Sequence, residues 1–258
     1  MNLIALPAFT DNYIWMLHDG QHAIVVDPGD ATPVLQALAS QQLTLVGILV
    51  THHHHDHTAG LPGLRSVLKG PVWGPARERI DLPFVPVGDG DQLHVLGQTW
   101  TVLDIPGHTS GHVAYFSEFG GVSPVAPLVF CGDTLFSAGC GRLFEGTPAQ
   151  MWASLQRLAA LPAATRLCCG HEYTLANLAF AQAVEPDNHD VAQHLAWCQQ
   201  RRQQQTPTLP SRIDLEQRIN PFLRVHVAGV IQQALQHGAH SPEAVHVFAA
   251  LRQWKNTF

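Results

Sequence analysis

Residues 51–57 read Thr-His-His-His-His-Asp-His, five imidazoles and one carboxylate in seven positions. No other stretch limits the fold as strongly, because so many coordinating groups must be brought to a common point. They follow the apolar run Val46–Val50, which reads as a buried strand. Alternation at the strand's end sends His52 and His54 to one side, and His53 and His55 to the other. Two imidazoles on one side can grip one metal ion. Asp56 and His57, in the turn that follows, can face a second. Neutral imidazole and carboxylate are ligands of zinc and similar borderline cations, whereas a thiolate-rich set would mark a structural site. His53 and His55 are expected to pack or to support rather than to ligate.

Three further segments repeat one pattern: a strand, a glycine, then a His or Asp. Pro106-Gly-His108 follows a strand over 99–105, Cys131-Gly-Asp133 follows 128–131, and Cys169-Gly-His171 closes the series. Loops at strand ends commonly gather functional groups. A carboxylate has two oxygens, so Asp133 can bridge two ions. Any one of these segments alone is weak, but with residues 51–57 they form a specific set. His112 is expected to make a structural hydrogen bond. His18, His22, His94 and the six histidines beyond residue 188 have no ligand spacing and read as surface groups.

The 258 residues are 46% hydrophobic, enough for a sizeable core. A net charge of −6 gives no support to a nucleic-acid or anionic-membrane partner. An anionic substrate would need a local basic patch. Five cysteines with no ribbon or disulfide spacing read as reduced, buried thiols of a cytoplasmic protein.

Strand-like and helix-like segments alternate over the first two-thirds of the chain. Tyr13–Leu17 and Ala23–Val26 form an expected hairpin, followed by a helix over Ala31–Gln41. A second helix is expected over Thr58–Lys69. Short strands follow near 71–73, 84–87, 92–96 and 99–105, the last two joined by a tight turn at Gly97-Gln98. The segment 118–127 reads as a Gly- and Pro-rich loop, and Pro148–Leu161 as a helix. Beyond residue 172 the patterns are helical, with no clear strand. A strand-rich part followed by a helical part predicts two domains, or a domain with a helical lid.

The set resembles the metallo-β-lactamase superfamily and, within it, the glyoxalase II (hydroxyacylglutathione hydrolase) family. The resemblance runs nearly end to end through Asp11–Trp15, Val26–Gly29, the histidine loop, Gly107–His112, Cys131–Phe136, Gly139–Arg142, Phe144–Thr147 and Gly170–Thr174. It implies an α/β fold, a four-layer αβ/βα sandwich, with an all-helical C-terminal domain. Residues 1–172 would be a dinuclear metal hydrolase domain, and 173–258 a glutathione-binding domain. One ion would be held by His52, His54 and His108, the other by Asp56, His57 and His171, with Asp133 bridging. Zinc fits best among the divalent ions, and iron and manganese are compatible. Asp56 and Asp133 would help hold a metal-bound hydroxide as nucleophile.

Substrate binding falls by the same resemblance to Arg142, Tyr173, Arg252 and Lys255. Some members carry a tyrosine where this chain has Phe144, so a hydroxyl contact from that position is absent. The implied reaction cleaves S-2-hydroxyacylglutathione, typically S-D-lactoylglutathione, to glutathione and D-lactate, the second step of methylglyoxal detoxification. The implied protein is a monomer whose partner is its thioester substrate. The rival reading is an iron oxidoreductase resembling glutathione persulfide dioxygenases of the same superfamily, since two histidines and an aspartate also suit iron and O₂.

Overall fold

The structure is a computed structural model that describes residues 1–119 and 126–258. Its first sheet opens with β1 (Asn2–Ala8), β2 (Asn12–His18) and β3 (His22–Val26), joined as antiparallel neighbours. The β2–β3 turn is fixed by Asp19, whose carboxylate accepts from the Gln21 and His22 amides. Helix α1 (Ala31–Gln41) carries the chain over to β4 (Thr44–Leu49), parallel to β3. Its N-cap is Asp30, which accepts from the Thr32 amide at 2.8 Å.

The helix expected over Thr58–Lys69 is instead two single turns, α2 (His55–Thr58) and α3 (Leu61–Leu64). Gly60, Pro62 and Gly63 interrupt the pattern that Leu61, Leu64 and Leu68 had indicated. Strands β5 (Val72–Pro75) and β6 (Val85–Val87) complete the sheet in parallel.

The second sheet begins with β7 (Gln92–Val95), β8 (Gln98–Asp104), β9 (Val113–Ser117) and β10 (Leu128–Gly132), all antiparallel neighbours. The β7–β8 turn is Leu96-Gly97, one residue earlier than expected, and both residues have positive φ (55° and 65°). The expected loop 118–127 lies largely outside the described residues. A small hairpin, β11 (Leu135–Phe136) with β12 (Gly139–Cys140), precedes α4 (Pro148–Ala159). Thr147 and Gln150 form a capping box at the start of α4. Strand β13 (Arg166–Cys169) lies parallel to β10.

Helices α5 (Thr174–Val184) and α6 (His189–Gln203) follow. The strand-free reading of the C-terminal part needs one correction. Strand β14 (Ser211–Arg212) pairs antiparallel with β13 and is the edge of the second sheet. Two residues carry no periodicity that a sequence could reveal. Helices α7 (Ile213–Ile219), α8 (Ala228–Gln236) and α9 (Ala244–Thr257) finish the chain.

The sheets pack face to face. Trp15 and Leu17 of β2 point into the cluster that holds Trp100, Tyr115 and Phe130 of the second sheet. The alternate residues Ile14 and Met16 point the other way, to Val34 and Leu38 of α1 and Leu61 and Leu64 of α3. Met151, Leu155 and Leu158 of α4 join the first cluster. The result is the expected four-layer sandwich with helices outside both sheets. The five cysteines are buried and unpaired. His18, read as a surface group, is buried at 6% exposure because β2 is covered on both faces. No helix among the described residues is long and apolar enough to cross a membrane.

Candidate metal centre

The ends of β4, β8, β10 and β13 meet at one edge of the sandwich, and each leads directly into a candidate ligand segment. His52 Nε2 and His108 Nε2 lie 3.2 and 3.0 Å from His54 Nδ1. Three ring nitrogens this close repel one another unless a proton or a cation sits among them. The far nitrogens of two of the rings are already occupied. His52 Nδ1 lies 3.0 Å from Thr51 Oγ1, which itself donates to Asp27 at 2.7 Å. His108 Nδ1 donates to the Arg142 carbonyl at 2.9 Å. Those bonds fix the tautomers and leave both Nε2 lone pairs facing His54.

A second cluster gathers Asp56, His57 and His171. His57 Nε2 lies 3.4 Å from Asp56 Oδ2 and 3.5 Å from Asp133 Oδ1. His171 Nε2 lies 3.4 Å from Asp56 Oδ2 and 3.2 Å from Asp133 Oδ2. Asp133 Oδ2 is also 3.5 Å from His108 Nε2, so this carboxylate stands between the two clusters. His171 Nδ1 donates to Asp11 at 2.8 Å, and Asn12 Nδ2 donates to Asp56 at 2.9 Å.

The donors fit divalent ions on an independent observation. Both ring nitrogens of His57 and Oδ1 of Asp133 are buried with no hydrogen-bond partner, although carboxylate oxygens lie near both His57 nitrogens. The short separations there lack hydrogen-bond direction. Buried polar atoms are rarely left in this state, and an ion supplies the missing partner. Gly170 keeps the space clear, because a Cβ there would meet Asp133 Oδ1 at 2.5 Å and His57 Cε1 at 2.8 Å.

Electrostatics divide the clusters. Burial drives the His52 imidazole well below its ordinary pKa, aided by the neighbouring His57. Burial likewise lowers His108. Burial alone would also lower His57 and His171, but Asp133 outweighs it. His57 is held well above the imidazole range and His171 is raised to about 10. Burial pushes Asp133 up, yet His57 and His171 overcome it and hold the carboxyl well below the carboxylate range. Burial thus favours neutral lone-pair donors in the first cluster, whereas the carboxylates of the second favour positive charge beside the His57 and His171 nitrogens, which a proton or a bound cation can supply.

A cleft of about 520 Å³ opens over these groups. Its walls include the four residues assigned to substrate by resemblance, Arg142, Tyr173, Arg252 and Lys255, together with Phe144, where the hydroxyl is absent. His52 and His57 lie beneath the floor, fully buried. Tyr173 stacks on His171, centroids 4.7 Å apart and 5° from parallel. Phe144 is 63% exposed and sets its ring edge-on to His54 and His108, at 5.6 and 5.2 Å. Lys255 Nζ donates to the Ala176 carbonyl at 2.9 Å, and burial lowers its pKa to about 8.

Arg252, assigned to substrate by resemblance, lines the cleft but is largely committed to the protein itself. It is only 6% exposed, donates to the Cys140 carbonyl at 2.8 Å and to Asn256 at 3.2 Å, and lies over the Phe222 ring. His112 donates to the Val113 carbonyl, accepts from the Asp133 amide, and stacks under His52. Of the remaining histidines of the loop, His53 bonds Glu78 and His55 is exposed. Sequence reasoning missed the supporting roles of Asp11, Asn12 and Asp27, which sit inside recognisable segments. It also missed Glu78, which sits in none.

This sandwich with paired His/Asp clusters at one edge is that of the metallo-beta-lactamase superfamily, whose family profile matches residues 8–171. A second profile, the hydroxyacylglutathione hydrolase C-terminus, matches residues 172–258. A hydroxyacylglutathione hydrolase of Albidiferax ferrireducens is 58% identical over the full length of both chains. Another, of Pseudomonas entomophila, is 52% identical over 98% of each. The chain belongs to the hydroxyacylglutathione hydrolase family. Among solved structures, ETHE1 from Myxococcus xanthus shares the fold at TM-score 0.65 and 24% identity, covering 100% of this chain and 99% of that one. The BLEG-1 B3 metallo-beta-lactamase does so at TM-score 0.62 and 22% identity, covering 86% and 98%.

Proposed function

We propose that this enzyme hydrolyses S-2-hydroxyacylglutathione thioesters, S-D-lactoylglutathione among them, to glutathione and a 2-hydroxy acid such as D-lactate. The observation that carries this reading is the placement of Asp133 between two donor clusters on the floor of a cleft with basic side chains in its wall. The names of the full-length relatives point the same way.

The proposed centre holds two divalent ions, zinc being the best match to the donors, one at His52, His54 and His108 and one at Asp56, His57 and His171. When bound, such ions supply Lewis acidity and ionise a water near neutral pH. The chain's residues do the rest. Thr51, the Arg142 carbonyl and Asp11 lock three imidazoles in the tautomer that presents a lone pair. Asp56 and Asp133 offset the charge gathered there. Tyr173 and Phe144 wall the cleft beside the reacting centre. Arg142 and Lys255 offer positive charge to the carboxylates of the glutathione moiety, against the overall charge of −6. Arg252 holds the Cys140 backbone in the cleft wall. A glutathione thiolate leaves readily, because its conjugate thiol has a pKa near ~8.5, and it needs no general acid.

The decisive experiment is hydrolysis of several acyl-glutathiones by the purified protein beside elemental analysis of the same sample. Fully metallated protein that leaves every thioester intact refutes the reading. Oxygen uptake in place of thioester loss would favour the iron oxidoreductase instead.

A further inference from the structure

Glu78 lies between β5 and β6, in no segment that the resemblance draws on, and its side chain is only 1% exposed. A carboxylate this deeply buried needs donors, and it has four. Oε2 accepts from the His53 amide at 2.5 Å and lies 2.9 Å from His53 Nδ1. Oε1 accepts from the Thr109 hydroxyl and, at 3.2 Å, from the Gly111 amide. Its methylene also fills the space over Gly111, where a Cβ would meet Glu78 Cγ at 2.5 Å. Glu145 repeats the link from outside, accepting from the Ser110 amide at 2.8 Å and lying 3.5 Å from His53 Nε2.

The two segments so joined are those that deliver the first cluster. His53 sits between His52 and His54, and Thr109 follows His108. They leave strands of different sheets, β4 and β8, so strand pairing does not fix their separation. One backbone bond also crosses, from the Val113 amide to the Thr51 carbonyl at 3.0 Å. The second cluster is braced by other groups, Asp11 and Asn12, and Glu78 touches neither.

We propose that Glu78 is a positioning residue that sets the ion affinity of the His52–His54–His108 cluster while leaving the Asp56–His57–His171 cluster unaffected. The proposal rests on the two-ion reading above. The carboxylate matters because both oxygens face donors. Glu78→Gln keeps the shape but turns an NH₂ group toward one of those donors, so half the brace is lost without leaving a cavity.

The test loads full-length wild type, Glu78→Gln, Glu78→Ala and the exposed control Asp81→Asn with zinc. Zinc per chain, release to a chelator, thermal melting and kinetics are measured for each. Wild type and Asp81→Asn should release two ions slowly. In both Glu78 variants one ion should leave faster by about 10–100-fold, the usual effect of losing a group that orients a ligand, while the other keeps its wild-type rate. Turnover should fall with that ion and return in excess zinc, with KM for the thioester unchanged. Wild-type release of both ions from Glu78→Gln overturns the proposal and spares the two-ion reading. Equal acceleration of both ions from a folded Glu78→Gln protein also overturns it. Wild type that retains no zinc overturns the two-ion reading, and the proposal with it.

Discussion

Asp133 is the residue on which the centre turns, because its two oxygens reach His57, His171 and His108 at 3.2–3.5 Å. Asp133→Asn removes the charge and preserves the shape. Bound zinc and turnover should fall together, with kcat down on the order of 10²–10³-fold, the scale of losing one charge-stabilising group. Wild-type metal content and rate would remove Asp133 from its role. Asp11 acts at one remove, through His171 Nδ1 at 2.8 Å. Asp11→Ala should weaken zinc binding by about 10–100-fold while leaving KM unchanged at saturating metal. An unaltered zinc affinity in a competition titration would rule that out. The convergence of these candidate donors was legible in the sequence because chemistry limits which side chains can ligate, and glycine-terminated strands repeat at three of them. The structure brings His52 and His54 together and turns His53 to Glu78, but strand alternation is not what separates them. Strand β4 ends at Leu49, and His54 is the N-cap of α2. Asp11, Asp27 and Glu78 were not legible, because their roles are contacts with residues 24 to 160 positions away.

Helix α9 shows what spacing conveys and what it leaves out. Arg252 and Lys255 are three residues apart and so share a helix face, which their positions alone indicate. Their environments come from tertiary packing. Phe222 lies under Arg252, and Phe180 and Phe258 lie near Lys255. The same limit explains α2 and α3, where apolar periodicity pointed to one helix and two glycines with a proline prevented it. Burial first, and then the Arg252 charge, bring Lys255 down to about 8, far enough to matter in solution. The sign is direct: below that pH the ammonium is charged and can hold a carboxylate, and above it the amine is neutral. KM for an acyl-glutathione, corrected for spontaneous hydrolysis, should therefore rise as pH passes about 8. In Lys255→Arg the guanidinium stays charged, so the rise should vanish over the same range. An identical pH dependence in both proteins would exclude Lys255 as its source.

The helical C-terminal segment is tied to the sandwich by shared core. One apolar cluster contains Trp100, Phe130 and Leu155 together with Phe180, Phe222, Phe248 and Leu251. Strand β14 extends the second sheet from within the same segment. At this boundary Glu216 of α7 is fully buried. It accepts from the Ser137 hydroxyl at 2.9 Å, the Ala138 amide at 2.7 Å, the Ser211 hydroxyl and Asn220 Nδ2 at 3.1 Å. Two of those donors belong to the 136–140 turn, whose Cys140 carbonyl is held by Arg252 from α9. Residues 1–172 and 173–258 should then unfold in one transition, since neither can expose its half of the cluster without the other. Glu216→Ala leaves several buried donors without an acceptor, at about 1–3 kcal/mol each, so a total near 3 kcal/mol is a conservative figure. For a chain of this size that loss should lower Tm by about 6–12 °C. The melt should stay a single step, and KM should rise as the 136–140 turn loosens. Calorimetry decides between this and independent domains: two resolved transitions in the wild type, or an unmoved Tm in Glu216→Ala, would mean that the helices and the sandwich do not share their stability.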